Sequence, residues 1–410
     1  MEPQTLFYII IGILILDFAL ERILSYLNYS WYSMPVPDEV SDVYDAAEYE
    51  RSQDYKKTNF KFGLISSSVS FTAILMFLFL DGFAIVDGWA RSLVEGEILV
   101  SIVFFAIIAI AGELISLPFS YFGTFVIEER FGFNKTTKKT FFLDKIKGWL
   151  LTAVLGGGLL VVVILCYQWA GSHFWWYVWI LVFLVSLLMN LFYARLFVPL
   201  FNKQVPLQEG DLKNKIKTYA ESVGFQLEKI FVIDGSKRST KANAYFSGFG
   251  SEKRVTLYDT LVDKLSEEEI VAVLAHEVGH YKKNHIIYNL LASTLTTGFT
   301  LWLFSLFVDS PLLAQALGVE IPSFHIGLIA FGLLYAPIST VTGIIMSSLS
   351  RKFEYQADRY AQETYTGEPL IAALKTLSKT SLSNLTPHPA YVFFHYSHPS
   401  LSQRIRAMEE

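Results

Sequence analysis

Residues 266–280 read Ser266-Glu-Glu-Glu-Ile-Val-Ala-Val-Leu-Ala-His276-Glu277-Val-Gly-His280. A serine followed three positions later by Glu269 is a capping-box start, which sets the register of the helix from its first turn. Four residues apart on a helix, His276 and His280 share a face, and Glu277 stands beside them. Two imidazoles so placed can bind one metal ion, and the carboxylate next to them can take a proton from water. Two structural histidines on a surface helix would show the same spacing, so the surroundings have to discriminate.

Catalytic zinc takes three protein ligands and keeps a fourth position open. The third is sought elsewhere, and Arg351-Lys-Phe-Glu-Tyr-Gln-Ala-Asp358 offers Glu354. Asp358, one turn further on the same face, is placed to accept a hydrogen bond from a ligand histidine and fix its tautomer. A solvated helix face with Arg351 and Arg359 is the alternative for these two acids. The reading is one Zn2+ per chain on His276, His280 and Glu354. Glu277 is the general base that takes a water proton and passes it to the leaving amine, so the reaction is peptide hydrolysis.

The 410 residues are 52% hydrophobic and 17% charged, against about 25% charged in soluble domains. Seven apolar stretches reach spanning length, near 5–25, 62–84, 97–118, 149–171, 173–200, 286–308 and 323–349. The first lacks a basic lead-in and is read as a retained span. The fourth and fifth, separated by Ala170-Gly-Ser172, should form a hairpin. With the N-terminus outside and the C-terminus inside, the non-cytosolic loops contain only Arg91, so residues 201–285 and 350–410 are expected in the cytosol. A net charge of -5 without a basic run argues against a nucleic-acid partner. The lone Cys166 excludes an intramolecular disulfide.

The expected organisation is spans one to five over 1–200, a cytosolic protease segment over 201–285, spans six and seven over 286–349, and a cytosolic tail over 350–410 carrying Glu354. Within the second unit, Lys213 to Val223 suits a helix and Lys229 to Asp234 a strand. Asn243 to Phe249 with Lys253 to Tyr258 suits a hairpin across Gly248 and Gly250. The motif helix is expected to continue toward the sixth span. Glu113 lies inside the third, where a wet chamber or a partner on another helix would each account for it.

These residues resemble the type I CAAX prenyl endopeptidases, integral-membrane zinc metalloproteases. The likeness rests on Ile127-Glu-Glu-Arg-Phe-Gly-Phe-Asn-Lys135, Leu200-Phe-Asn-Lys203, Ile233-Asp-Gly-Ser-Lys-Arg238, Asn243-Ala-Tyr-Phe246, His276-Glu-Val-Gly-His280, Glu354-Tyr-Gln-Ala-Asp358 and Ser397-His-Pro399. They occur in the family's order over most of the chain. The resemblance implies an all-α polytopic fold, seven helices forming a barrel around an intramembrane chamber, with a small α+β zinc domain on the cytosolic side. It also implies removal of the last three residues of isoprenylated peptides in a bilayer, with Asn243 and His398 holding the scissile peptide and oxyanion. Arg404 would brace the acids behind the metal.

Asn243 opens an expected edge strand, which suits strand addition, and His398 can supply a positive donor. A turn residue at Asn243, a capping or core histidine at 398 and a plain surface arginine at 404 are the alternatives. His173, His285, His325, His388 and His395 are read as structural or interfacial.

Two other functions remain open at this point. One is a quality-control protease of a bacterial cytoplasmic membrane, rather than an endoplasmic reticulum CAAX protease, acting on unlipidated substrates. The other is a transporter or channel with structural zinc.

Overall fold

The computed structural model describes residues 1–227, 229–248 and 253–410. The seven apolar stretches are largely helical, the second (62–84) being broken by a turn at Leu80–Asp81 where Asp81 takes φ 51°, and among the described residues five helical segments are long and apolar enough to cross a membrane. They are Ala46–Phe79, Glu97–Glu128, Lys138–Phe201, His285–Ser305 and Phe324–Thr364. Helix Pro3–Ser30 covers the first apolar stretch but is not one of the five. The fourth and fifth stretches both fall within Lys138–Phe201, where a tight turn at Gly171–His173 separates Gly157–Ala170 from Phe174–Leu196. Gly171 there takes φ +55°, which favours glycine. The helices on either side pack together through Tyr167 against Phe174 and Trp169 against Tyr177.

Little of the apolar surface of these five segments is buried within the protein. Leu16, Leu80, Leu114, Val154 and Leu295 are among the exposed side chains. Such a surface is stable against lipid and a liability in water. Two polar groups tie helices together. Glu113 meets Lys145 of a neighbouring helix at 3.0 Å. His325, fully buried, joins Ser101 at 2.9 Å to Asp87 at 2.8 Å.

A four-stranded sheet sits between the fifth and sixth apolar stretches. Its strands are β1 (Gln204–Pro206), β2 (Lys229–Ile233), β3 (Ala244–Ser247) and β4 (Arg254–Tyr258), in spatial order β1-β2-β4-β3. β3 and β4 are antiparallel, as the hairpin expectation has it; Phe249 and Gly250 lie outside the described residues. β2 and β4 pair in parallel, which leaves β3 on the edge. Three-residue β1 carries no alternating pattern and was not foreseen. Helices Asp211–Ser222, Glu267–Lys282 and Gly367–Thr380 close one core with the sheet, through Ile216, Leu257, Leu261, Ile270, Leu274 and Leu370.

The motif helix runs Glu267–Lys282, and its capping box is formed in both directions between Ser266 and Glu269. It does not continue into the sixth span. Asn284 takes a left-handed conformation, φ 58°, and a new helix starts at His285. Asparagine tolerates that region better than most residues.

Candidate metal centre

The motif helix lies against Phe324–Thr364, and at Gly279 the two helices come close. A Cβ there would stand 3.1 Å from the Cα and carbonyl oxygen of Ala357, so two small residues let the backbones meet. Glu354 and Asp358 flank Ala357 and are thereby delivered to the histidine face.

His276 Nε2 and His280 Nε2 face one another at 3.1 Å. Glu354 closes the triangle, with Oε1 3.3 Å from His280 Nε2 and Oε2 3.5 Å from His276 Nε2. Tetrahedral zinc with bonds of about 2.0–2.1 Å separates its ligand atoms by about 3.3 Å. The three measured gaps bracket that value. Glu354 is 4% exposed, and among the described residues its Oε2 has no hydrogen-bond partner. That buried carboxylate oxygen has only the long 3.5 Å contacts to His276 Nε2 and Arg404 Nη1, and two imidazole nitrogens and a carboxylate converging at these distances match the donor set of a zinc site. The residues present therefore fit a zinc ion.

Asp358 stands behind His276. Its Oδ1 accepts from His276 Nδ1 at 2.8 Å, which leaves the Nε2 lone pair directed at Glu354 and His280. Arg404 clamps Asp358 from the far side, donating from Nε to Oδ2 at 2.8 Å and from Nη2 to Oδ1 at 2.5 Å. The guanidinium is nearly buried, not a surface group, and its Nη1 is 3.5 Å from Glu354 Oε2. Breaking a buried ion pair from one side costs about 3–5 kcal/mol. Arg404→Met is therefore expected to lower the melting temperature clearly and weaken metal retention; an unchanged melting curve would refute this role.

Burial alone would lower the pKa of His276, but the carboxylates of Asp358 and Glu354 outweigh it and raise the group to about 9. A ligand imidazole must be neutral, so protons compete with metal below that value. Zinc affinity should accordingly rise with pH toward 9 and fall by up to about tenfold per unit below it. Zinc titrations against a chelator across pH 6 to 9 check this, and a flat profile contradicts it.

A cavity of 280 Å³ opens onto the cluster, lined by Asn243, His276, Glu277, Glu354, His398 and Arg404 and by the apolar Leu374 and Leu377. Glu277 reaches this cavity without belonging to the His–His–Glu cluster. His398 is largely exposed, its Nε2 3.3 Å from Glu354 Oε1 and its Nδ1 2.9 Å from Ser397 Oγ. Asn243 precedes edge strand β3, its Oδ1 accepting from the backbone of Ala244 at 2.9 Å. Six of the eight site residues singled out in the sequence line this cavity, while His280 and Asp358 stand behind it in contact with His276.

One contact was not anticipated. His285 is buried, and its Nδ1 lies 3.0 Å from His280 Nδ1. Of the other histidines, His388 caps a helix through Ala390 and His395 stands 3.5 Å from Glu21.

Five membrane-length helical segments in one chain with a metal-ready His–His–Glu cluster and an edge strand beside it mark the class as a membrane metallopeptidase. Known proteins agree. Residues 25–203 match the family described as CAAX prenyl protease N-terminal, five membrane helices, and residues 206–410 match peptidase family M48. CAAX prenyl protease 1 of Saccharomyces cerevisiae is 34% identical over 429 residues, covering 98% of this chain and 94% of that one. Its Oryza sativa homologue is 37% identical, covering 97% and 96%. The crystal structure of S. mikatae Ste24p superposes with a TM-score of 0.94 at 34% identity, over 99% of each chain. The chain belongs to peptidase family M48, as a membrane metalloendopeptidase of the CAAX prenyl protease 1 type.

Proposed function

We propose that this enzyme removes the C-terminal tripeptide from isoprenylated proteins at a cytosol-facing site. The single observation behind the reading is the cavity that gathers Glu277, Asn243 and His398 around the metal-ready cluster, in a chain similar almost end to end to proteins named CAAX prenyl protease 1. Seven helices crossing the bilayer as a barrel around a chamber, with N-terminus outside and C-terminus inside, complete the proposal. The segment 201–285 and the tail 350–410 then form its cytosolic domain.

His276, His280 and Glu354 would hold one zinc, which supplies Lewis acidity toward the scissile carbonyl. Glu277 accepts the proton of the attacking water and returns it to the leaving nitrogen, since its carboxylate is in the cavity and free of ligand duty. Edge strand β3 accepts the substrate backbone by strand addition. Asn243, whose Oδ1 is engaged by Ala244, lines the cavity where its amide would meet a substrate carbonyl. His398 Nε2–H donates to the developing oxyanion. Asp358 and Arg404 hold His276 in the required tautomer.

Purified protein should cleave a farnesylated CAAX peptide in preference to its unlipidated twin. Equal cleavage of both would shift the reading to general membrane proteolysis, and cleavage of neither would remove the substrate assignment.

A further inference from the structure

We propose that His285 is a positioning residue for His280, holding that imidazole in the one tautomer and orientation that can bind zinc. The proposal rests on the zinc reading above and adds a partner for the second histidine equivalent to Asp358 for the first.

The tautomers follow in sequence. To ligate, His280 must offer the Nε2 lone pair that faces His276 Nε2 at 3.1 Å, so its proton sits on Nδ1. That proton needs an acceptor, and His285 Nδ1 is 3.0 Å away. A neutral His285 accepting there carries its own proton on Nε2. Gln356 Oε1, 2.8 Å from His285 Nε2, accepts it. Every donor meets an acceptor, as buried polar groups require.

His285 itself is rigid. It is 1% exposed and stacks on Phe353 with ring centroids 4.2 Å apart and planes 10° from parallel. Phe353 and Gln356 flank Glu354 on the same helix, so this support comes from the element that carries the third ligand. The left-handed turn at Asn284 is what aims the ring. Five residues on in an uninterrupted helix, His285 would lie about 140° round from His280 and face away.

Partners of metal-bound histidines are typically worth 10–100-fold in metal affinity or activity. His285→Phe keeps the ring and its stacking but removes the acceptor; zinc affinity, measured by chelator competition, should fall about 10–100-fold. His285→Asn places an amide oxygen where Nδ1 stood and should recover most of that loss. His285→Gln places it at the Nε2 position and should not. Gln356→Met, which leaves His285 in place, should lower affinity in the same direction, and covers the case in which His285→Phe does not fold.

Melting of the four chelator-treated variants against wild type separates folding from ligand positioning. The d–d absorption of the cobalt-loaded proteins reports the coordination geometry. His285→Phe binding zinc as tightly as wild type would overturn the proposal. So would Asn and Gln variants equally impaired with unaltered melting. Wild type binding no zinc would instead overturn the metal reading beneath it.

Discussion

Glu277→Gln is expected to lower the rate of peptide cleavage by about 10²–10⁴-fold, the usual contribution of a general base, while leaving about one zinc per chain. The substitution keeps shape and hydrogen-bonding capacity but removes the proton acceptor. Because Glu277 lines the cavity without contributing an atom to the His276–His280–Glu354 cluster, metal content and activity should separate. Zinc quantification beside cleavage of the farnesylated peptide makes the comparison. Turnover within a few-fold of wild type would remove Glu277 from the reaction, and loss of zinc would make it a ligand.

Glu354→Ala should abolish both zinc retention and cleavage. Its carboxylate supplies the one negative charge in the cluster and reaches both histidines, 3.3 Å from His280 and 3.5 Å from His276. Without it, two neutral imidazoles remain in a buried site, together with an Arg404 cation 3.5 Å from where Glu354 Oε2 stood. Metal affinity should fall by more than the roughly 10–100-fold seen for groups behind the ligands. Metal content after dialysis against a weak chelator measures this directly. Retention of stoichiometric zinc would show that the third ligand lies elsewhere.

Arg404→Met and Glu354→Ala are distinguishable. The first leaves all three ligand side chains in place and acts through Asp358, so added zinc should restore part of its activity. The second removes a ligand, so added zinc should not.

The sheet shows where local pattern stops being informative. β2 and β4 each read as strands from their own residues, and β3 with β4 reads as a hairpin. The parallel pairing of β2 with β4 joins residues 25 apart in the chain, Lys229 opposite Arg254, and nothing in either strand specifies it. That pairing is what exposes β3 as an edge next to the metal cluster. His285 was missed for a related reason. Its spacing from His280 is wrong for a straight helix, and only the Asn284 turn corrects it; the asparagine before it was the available signal.

Capping, helical spacing and apolar length are local properties, so the chain's own order was enough to reveal the motif helix with His276, Glu277 and His280 on it, and a run of membrane-length helices. Glu354, 74 residues beyond His280, was inferred from a missing ligand. Its placement, with Asp358, Arg404 and His285, depends on Gly279 meeting Ala357 and on the turn at Asn284. Such contacts arise only when distant helices pack, because the energy that selects them comes from surface buried between elements and not from any one of them.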